Sequence, residues 1–390
     1  MKTNLLFLLL TAHRSLLTIM RILIVKLGSI GDIVHTLPVL AAIREALPRA
    51  SLSWAVERRS AEILQNNSLL ERLIEVDTKR LRNNSILSET IPALRTQLRD
   101  LRATEFDVAL DFQGLLKSAT IALVSGARER FGFAGAALRE PASRFLLSRT
   151  MEVPLQAHVI EKNLALAAGA LGIEVPHERQ AWRFPIAVSP AHEAEAETVA
   201  LRNKDNFAVL NPGGGWATKL WSAERFASLA DELWERHQLR SIVVHGPGEE
   251  TLAARVVEAS RANRTEAASL SLKGLIALLR RARVYVGGDT GPTHLAVATG
   301  TPIVGLFGPT EWWRNGSSRH DDICVERHDI NCRAGCHRRS CSAWVCMDIE
   351  VERVLNAVTE RLERARRAER AGESVKAGIT NAKAETTFAS

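Results

Sequence analysis

Gly287-Gly-Asp-Thr-Gly-Pro-Thr-His294 has the composition of an anion-binding turn. Pro292 suits a first helical turn, where its missing N–H costs nothing, and Asp289 or Thr290 can cap the helix. The glycines let backbone N–H groups approach a ligand closely. Free N–H groups and the dipole at a helix start favour an anion such as a diphosphate. A ligand-free strand-turn-helix junction has the same composition, so the segment alone leaves both readings open.

Three further loops carry candidate chemistry. Asn211-Pro-Gly-Gly-Gly-Trp-Ala-Thr-Lys-Leu-Trp221 is glycine-rich, but it has neither the Gly-x-x-x-x-Gly-Lys-Ser/Thr nor the Gly-x-Gly-x-x-Gly spacing. Thr218 and Lys219 can still hold phosphate oxygens by hydrogen bond and point charge. In His245-Gly-Pro-Gly-Glu-Glu250, Glu249 can bind ribose hydroxyls. Glu250 better suits an interaction with the helix dipole. In Lys26-Leu-Gly-Ser-Ile-Gly-Asp32, a carboxylate at a helix start stays ionised at neutral pH and can accept a proton from an attacking hydroxyl. The same position also suits a plain helix cap.

The five cysteines all fall between Cys324 and Cys346, which rules out a disulfide-stapled scaffold for the rest of the chain. Cys332-x3-Cys336-x4-Cys341-x4-Cys346 is looser than the paired Cys-x2-Cys of zinc ribbons. Structural zinc, disulfides and unlinked thiols all stay open.

Alternating strands and helices must position these loops. Arg21–Leu27 is an apolar run suited to a buried parallel strand. Ser51–Val56, Phe106–Leu110, Phe207–Leu210, Ser241–Val244, Arg283–Val286 and Pro302–Phe307 read as further strands. Ile91, Leu94, Leu98 and Leu101 recur at helical spacing, and helices are expected near Leu115–Leu123 and over Ser222–His237. His177–Ala194 carries two prolines and no clear period, which predicts the interdomain crossing. Val351, Val354, Leu355, Val358 and Leu362 mark an amphipathic helix. The fold class is therefore α/β with two doubly wound halves. The expected organisation is an extension over 1–19, domains over 20–185 and 186–348, a helix over 349–366 and a disordered tail over 367–390.

With 390 residues, 46% hydrophobic and 24% charged, the chain has the composition of a two-domain globular protein. Its net charge of +7 suits anionic substrates or membrane surfaces. Only 5% of residues are aromatic and none stud a basic stretch, so no nucleic-acid partner is expected. Leu5–Leu10 is too short to span a bilayer, and His13 and Arg14 interrupt it. Met20, directly before the first strand, is the expected natural start; the alternative is a signal or weak anchor.

From Met20 to about Val354 the chain resembles the lipopolysaccharide ADP-heptose heptosyltransferases. The resemblance rests on Met20–Pro38, Leu110-Asp-Phe-Gln-Gly-Leu-Leu-Lys-Ser-Ala119, Arg139-Glu-Pro141, Asp289-Thr-Gly-Pro-Thr-His294 and Phe307-Gly-Pro-Thr310. It implies the GT-B architecture: two facing Rossmann-like domains, the acceptor on the first, the donor on the second, and a C-terminal helix crossing back. It implies an inverting transfer with no catalytic metal and no cofactor, and the sequence has no Asp-x-Asp motif placed for a diphosphate-bound metal. By position, Asp32 would be the general base. Thr218, Lys219, Thr290 and Gly291 would hold phosphate, Glu249 the ribose, and Asp289 and His294 would shape the donor site. Lys26, Lys79, Arg80, Lys117 and Arg139 would meet an anionic acceptor such as Kdo-lipid A. Lys79 replaces the arginine expected there, and lysine binds as a point charge rather than a fork. The expected partners are ADP-heptose, a lipid-linked Kdo acceptor and the anionic cytoplasmic face of the inner membrane. A second heptosyltransferase type, or a relative with another sugar, also fits.

Overall fold

A computed structural model describes residues 19–77, 99, 101–332 and 336–387, with side chains to Arg370. The chain forms two compact units that divide between Ala187 and Val188, except that Trp313–Asn315 group with the first. Each is treated below by itself.

The first unit holds six strands: β1 Arg21–Val25, β2 Ser51–Glu57, β3 Arg72–Val76, β4 Val108–Asp111, β5 Glu129–Phe133 and β6 Arg149–Met151. They pair in parallel in the order β3-β2-β1-β4-β5-β6. Ile22, Leu23, Ile24 and Val25 are fully buried, as a strand covered on both faces requires. Each such side chain contributes about 1.5–3 kcal/mol by leaving water. The order reverses between β1 and β4, and in such sheets ligands bind beyond the strand ends at that switch point.

The second unit repeats the plan with β7 Phe207–Asn211, β8 Arg240–Val244, β9 Thr265–Ala268, β10 Val284–Gly288, β11 Ile303–Phe307 and β12 Ile323–Glu326. The order is β12-β11-β10-β7-β8-β9, again parallel throughout. Its switch point lies between β7 and β10. Both units thus have the doubly wound topology.

The helices depart from the sequence expectation at two points. Residues near the expected crossing form a helix, Pro190–Arg202, because Pro190 suits a helix start and the acidic and alanine-rich run behind it is a good helix former. The helix that opens at Val351 runs to Thr387, past the helix end expected at 366 and into the span expected as a tail. Within that helix, Val354, Leu355, Val358 and Leu362 are buried in the core of the second unit. Its contacts run to β10, β11, β12 and the helix Ala223–His237. The expected periodic helix through Ile91, Leu94 and Leu98, and the extension up to Thr18, lie outside the described residues.

Candidate functional site

In the first unit, the chain leaves β1 through Lys26 and turns into a short helix, Ile30–Val34, with Ser29 at its N-cap. Asp32 is therefore the third helical residue, and its Oδ2 accepts the Ser29 N–H at 3.0 Å. Its Oδ1 stands 3.5 Å from both Lys26 Nζ and Arg139 Nη2. The cap and base readings of Asp32 are compatible, since each uses a different oxygen. Burial pushes the Asp32 carboxyl up. The Lys26 and Arg139 charges, with hydrogen bonds from Ser29 and Gln113, outweigh that and hold it below the ordinary carboxylate range. The group is an ionised acceptor at neutral pH.

Lys26 is buried, and its ammonium donates to the Phe112 carbonyl at 2.7 Å. Burial lowers its pKa. The loop after β4 completes the site. Gln113 Oε1 accepts the Leu27 N–H at 3.2 Å, and its amide reaches Asp32 Oδ2 at 3.5 Å. Asp111 shapes this loop by accepting the Gln113 N–H at 2.9 Å, the Gly114 N–H at 3.2 Å and the Ser118 hydroxyl at 3.0 Å. Burial pushes Asp111 up to about 6. Gly114 takes φ +67°, which glycine adopts without strain, and its carbonyl accepts the Glu140 N–H at 3.0 Å. That bond ties Arg139 to the same turn. Gln113 and Asp111 lie within the Leu110–Ala119 motif, yet nothing in their types alone marked them as site residues.

The structure gathers Lys26, Asp32 and Arg139. Lys117 is elsewhere: it is half-exposed, with Nζ 3.5 Å from Glu57 Oε1. Lys79 and Arg80 lie outside the described residues.

In the second unit, the loops after β7 and β10 meet at the switch point. Lys219 Nζ donates to Asp289 Oδ2 at 2.6 Å and to the Asp289 carbonyl at 3.1 Å. His294 Nε2 lies 3.3 Å from Asp289 Oδ1. Burial pushes the Asp289 carboxyl up. The His294 hydrogen bond and charge, then Lys219, override this and hold it far below the ordinary carboxylate range. Thr290 is the N-cap of the helix Gly291–Thr299, but its side chain makes no cap bond. Instead, Thr290 Oγ1 accepts from Asn211 Nδ2 at 2.9 Å. Tyr285, whose hydroxyl sits 3.0 Å from Thr293 Oγ1, is pushed up to about 12 by burial. It stays a neutral partner.

The glycines serve close approach. A Cβ at Gly213 would stand 2.4 Å from Glu249 Oε1, and one at Gly288 would stand 3.1 Å from the Lys219 carbonyl. Glu249, at the N-cap of the helix Glu250–Ala259, also accepts the Gly246 N–H at 3.0 Å. Glu249 therefore lies against the same glycine loop that carries Lys219. Thr218 is buried, and its hydroxyl donates to the Arg338 carbonyl at 2.7 Å. A buried hydroxyl needs such an acceptor, so in this structure Thr218 anchors the loop, and its hydroxyl proton is already used. Asn211, Tyr285 and Arg338 are the partners that residue type alone did not reveal.

Chemically, the first site offers an ionised carboxylate beside two cations. The second offers a lysine, a helix start and an acidic side chain around a glycine loop, which together suit a nucleoside diphosphate.

A family model described as glycosyltransferase family 9 (heptosyltransferase) matches residues 94–343. Lipopolysaccharide heptosyltransferase 1 of Pseudomonas aeruginosa is 30% identical over 323 residues, which cover 83% of this chain and 88% of the relative. The enzyme of the same name from Escherichia coli is 30% identical over 293 residues, covering 75% and 89%. Among solved structures, the E. coli heptosyltransferase WaaC with ADP aligns with a TM-score of 0.68 at 26% identity, over 89% of this chain and 99% of that one. The chain is a glycosyltransferase and belongs to glycosyltransferase family 9, the heptosyltransferase family.

Proposed function

We propose that this enzyme transfers heptose from ADP-heptose to a Kdo-lipid A acceptor in lipopolysaccharide core synthesis, with inversion at the anomeric carbon. The observation that carries the reading is Asp32, held ionised with one oxygen on the helix cap and the other beside Lys26 and Arg139. Asp32 takes the proton of the acceptor hydroxyl as that oxygen attacks the anomeric carbon. The bond to the diphosphate breaks, and ADP leaves with the electron pair. Lys219 and the start of Gly291–Thr299 balance the charge that develops on the diphosphate. Glu249 accepts hydrogen bonds from the ribose. Lys26 and Arg139, with Lys79, Arg80 and Lys117, attract the acceptor's phosphates and carboxylates. Support for the donor comes from the relatives' names and from a WaaC structure with ADP-2-deoxy-2-fluoro heptose.

Peripheral attachment at the cytoplasmic face of the inner membrane belongs to the same proposal. Among the described residues no helix is long and apolar enough to cross a membrane. Phe145 is 79% exposed, in the turn Pro141–Leu146, with Arg144 over its ring at 5.2 Å. An apolar side chain flanked by arginine suits an anionic lipid surface. Sedimentation with anionic vesicles that fades as salt rises is expected. No sedimentation at low salt removes the membrane part.

The test of the chemistry is ADP release by the full chain with ADP-heptose and Kdo-lipid A. Acceptor-dependent release that Asp32→Asn abolishes while ADP still binds is the expected result. ADP binding without release on this acceptor redirects the search to another sugar or acceptor. Wild-type turnover by Asp32→Asn overturns the base assignment.

A further inference from the structure

The four cysteines that the transfer chemistry leaves unused share one place in the second unit. Cys332, Cys336, Cys341 and Cys346 line a single small cavity, together with Thr218 and Trp344. The fifth, Cys324, lies in β12 opposite Gly305 and outside that lining. All five are free thiols. Between β12 and the short turn Val345–Met347 the described residues form neither helix nor strand. We propose that these four thiols form a tetrathiolate site for a soft divalent cation of the zinc class, which fixes the loop against the donor-site segment.

Three observations support it. Four thiols around one cavity match the ligand number and type of a closed structural zinc site. The Trp344 N–H points at Cys341 Sγ at 3.3 Å, a bond that stabilises a thiolate and orients it. The same loop is bound to the nucleotide-side segment twice: Thr218 donates to the Arg338 carbonyl, and Trp344 Nε1 donates to the Thr218 carbonyl at 3.1 Å. Fixing the loop would therefore fix Thr218 and, next to it, Lys219.

Among the described residues no three ligand side chains already converge on one point. Binding must therefore turn the thiols inward about their side-chain torsions. Each of the four thiols gives its proton to solvent as its sulfur takes the metal, so binding tightens as pH rises. Four thiolates and a divalent cation leave two negative charges, which the Arg338 side chain on the cavity wall partly offsets.

The test uses the full chain, grown with zinc and purified under reducing conditions. Elemental analysis after gel filtration should find about one zinc per chain, as a closed four-ligand site holds. The Cys341→Ser/Cys346→Ser variant should lose it. Cobalt added to chelator-treated wild type should give thiolate-to-cobalt charge-transfer and tetrahedral visible bands. The cobalt titration stays decisive if the variant does not fold. No metal and no such bands, with all five thiols reactive in the native chain, overturns the proposal. So do missing thiols that only a reductant restores in a parallel sample purified without reductant, which would mean disulfides, and metal retained by the folded variant. None of these readouts depends on which sugar the enzyme transfers.

Discussion

Each unit places a lysine–aspartate pair at its sheet's switch point, but in the first both residues follow β1, and in the second they follow β7 and β10. In the first unit Lys26 and Asp32 are 3.5 Å apart and Arg139 shares the same oxygen at 3.5 Å. In the second, Lys219 and Asp289 close to 2.6 Å, and His294 covers the other oxygen. The Asp32 side chain keeps 16% of its exposure, and that of Asp289 keeps 6%. Both carboxylates are held ionised, but the two cations at Asp32 Oδ1 stand 3.5 Å away, whereas Lys219 closes on Asp289 at 2.6 Å. The looser setting of Asp32 suits the proposed base, and the 2.6 Å bond to Lys219 suits a positioning role for Asp289.

The largest effect should come from breaking the first pair. Asp32→Asn keeps an oxygen for the Ser29 N–H but loses the base. Turnover should fall about 10²–10⁴-fold, the usual worth of a general base, with ADP affinity unchanged by calorimetry. A fall in ADP affinity of the same size would mean that Asp32 acts on the donor, and the comparison would collapse.

Breaking the second pair should show in stability. Asp289→Ala leaves the Lys219 ammonium without its 2.6 Å partner in a buried setting. Loss of one partner of a buried pair costs about 3–5 kcal/mol, read as a lower unfolding midpoint. An unchanged midpoint would show that the pair is not the anchor described here. Turnover lost at full stability would instead give Asp289 a direct role in the reaction.

A pH profile sharpens the contrast within the first unit. The folded Asp32 carboxyl lies below its ordinary range, chiefly because Lys26 and Arg139 override the effect of burial. Its contribution to stability is therefore complete above the unfolded value and is lost as pH falls through the folded one. The acid limb of kcat/KM should lie below the ordinary carboxylate range and move to higher pH in Arg139→Ala. Asp111 has the opposite sign. Its folded value of about 6 exceeds the unfolded one, so its ionisation destabilises the fold as pH rises from the unfolded value through about 6. An acid limb near pH 6 that disappears in Asp111→Asn would assign the limb to Asp111 and not to Asp32.

The same contrast explains what could be read from sequence. The central strands β1, β7, β10 and β11 are apolar runs, since both faces are covered. The strands with no such signature include β3, β6, β9 and β12, which are the four sheet edges. Arg149–Met151 and Thr265–Ala268 are short, polar and partly exposed, so burial left no pattern in them. Asp32, Lys219 and Asp289 were legible because each follows a strand with glycines beside it. Which of the named residues meet, and the partner Arg338, were not. Arg139 is 107 positions from Asp32, and Arg338 is 120 from Thr218. Only the folded turn at Gly114 and the loop after β12 bring them near. Thr218 shows what type alone leaves out: it suits phosphate, and in this structure its buried hydroxyl donates to the Arg338 carbonyl.

The smallest effect tests whether a cation outside the Asp32 group still belongs to the acceptor surface. Lys117 is half-exposed, with its ammonium 3.5 Å from Glu57. A pair of that kind contributes about 0–1 kcal/mol, because water screens it and ordering the side chain costs entropy. Lys117→Ala should therefore leave the unfolding midpoint nearly unchanged. If Lys117 meets the anionic acceptor, KM for the acceptor should rise a few-fold, kcat and ADP affinity should hold, and the difference from wild type should shrink as salt is added. A KM equal to wild type at low salt would confine the acceptor's charge recognition to Lys26, Arg139 and the Lys79–Arg80 pair. A change in kcat alone would instead place Lys117 near the reacting atoms, and the division between reacting and attracting groups in this unit would have to be redrawn.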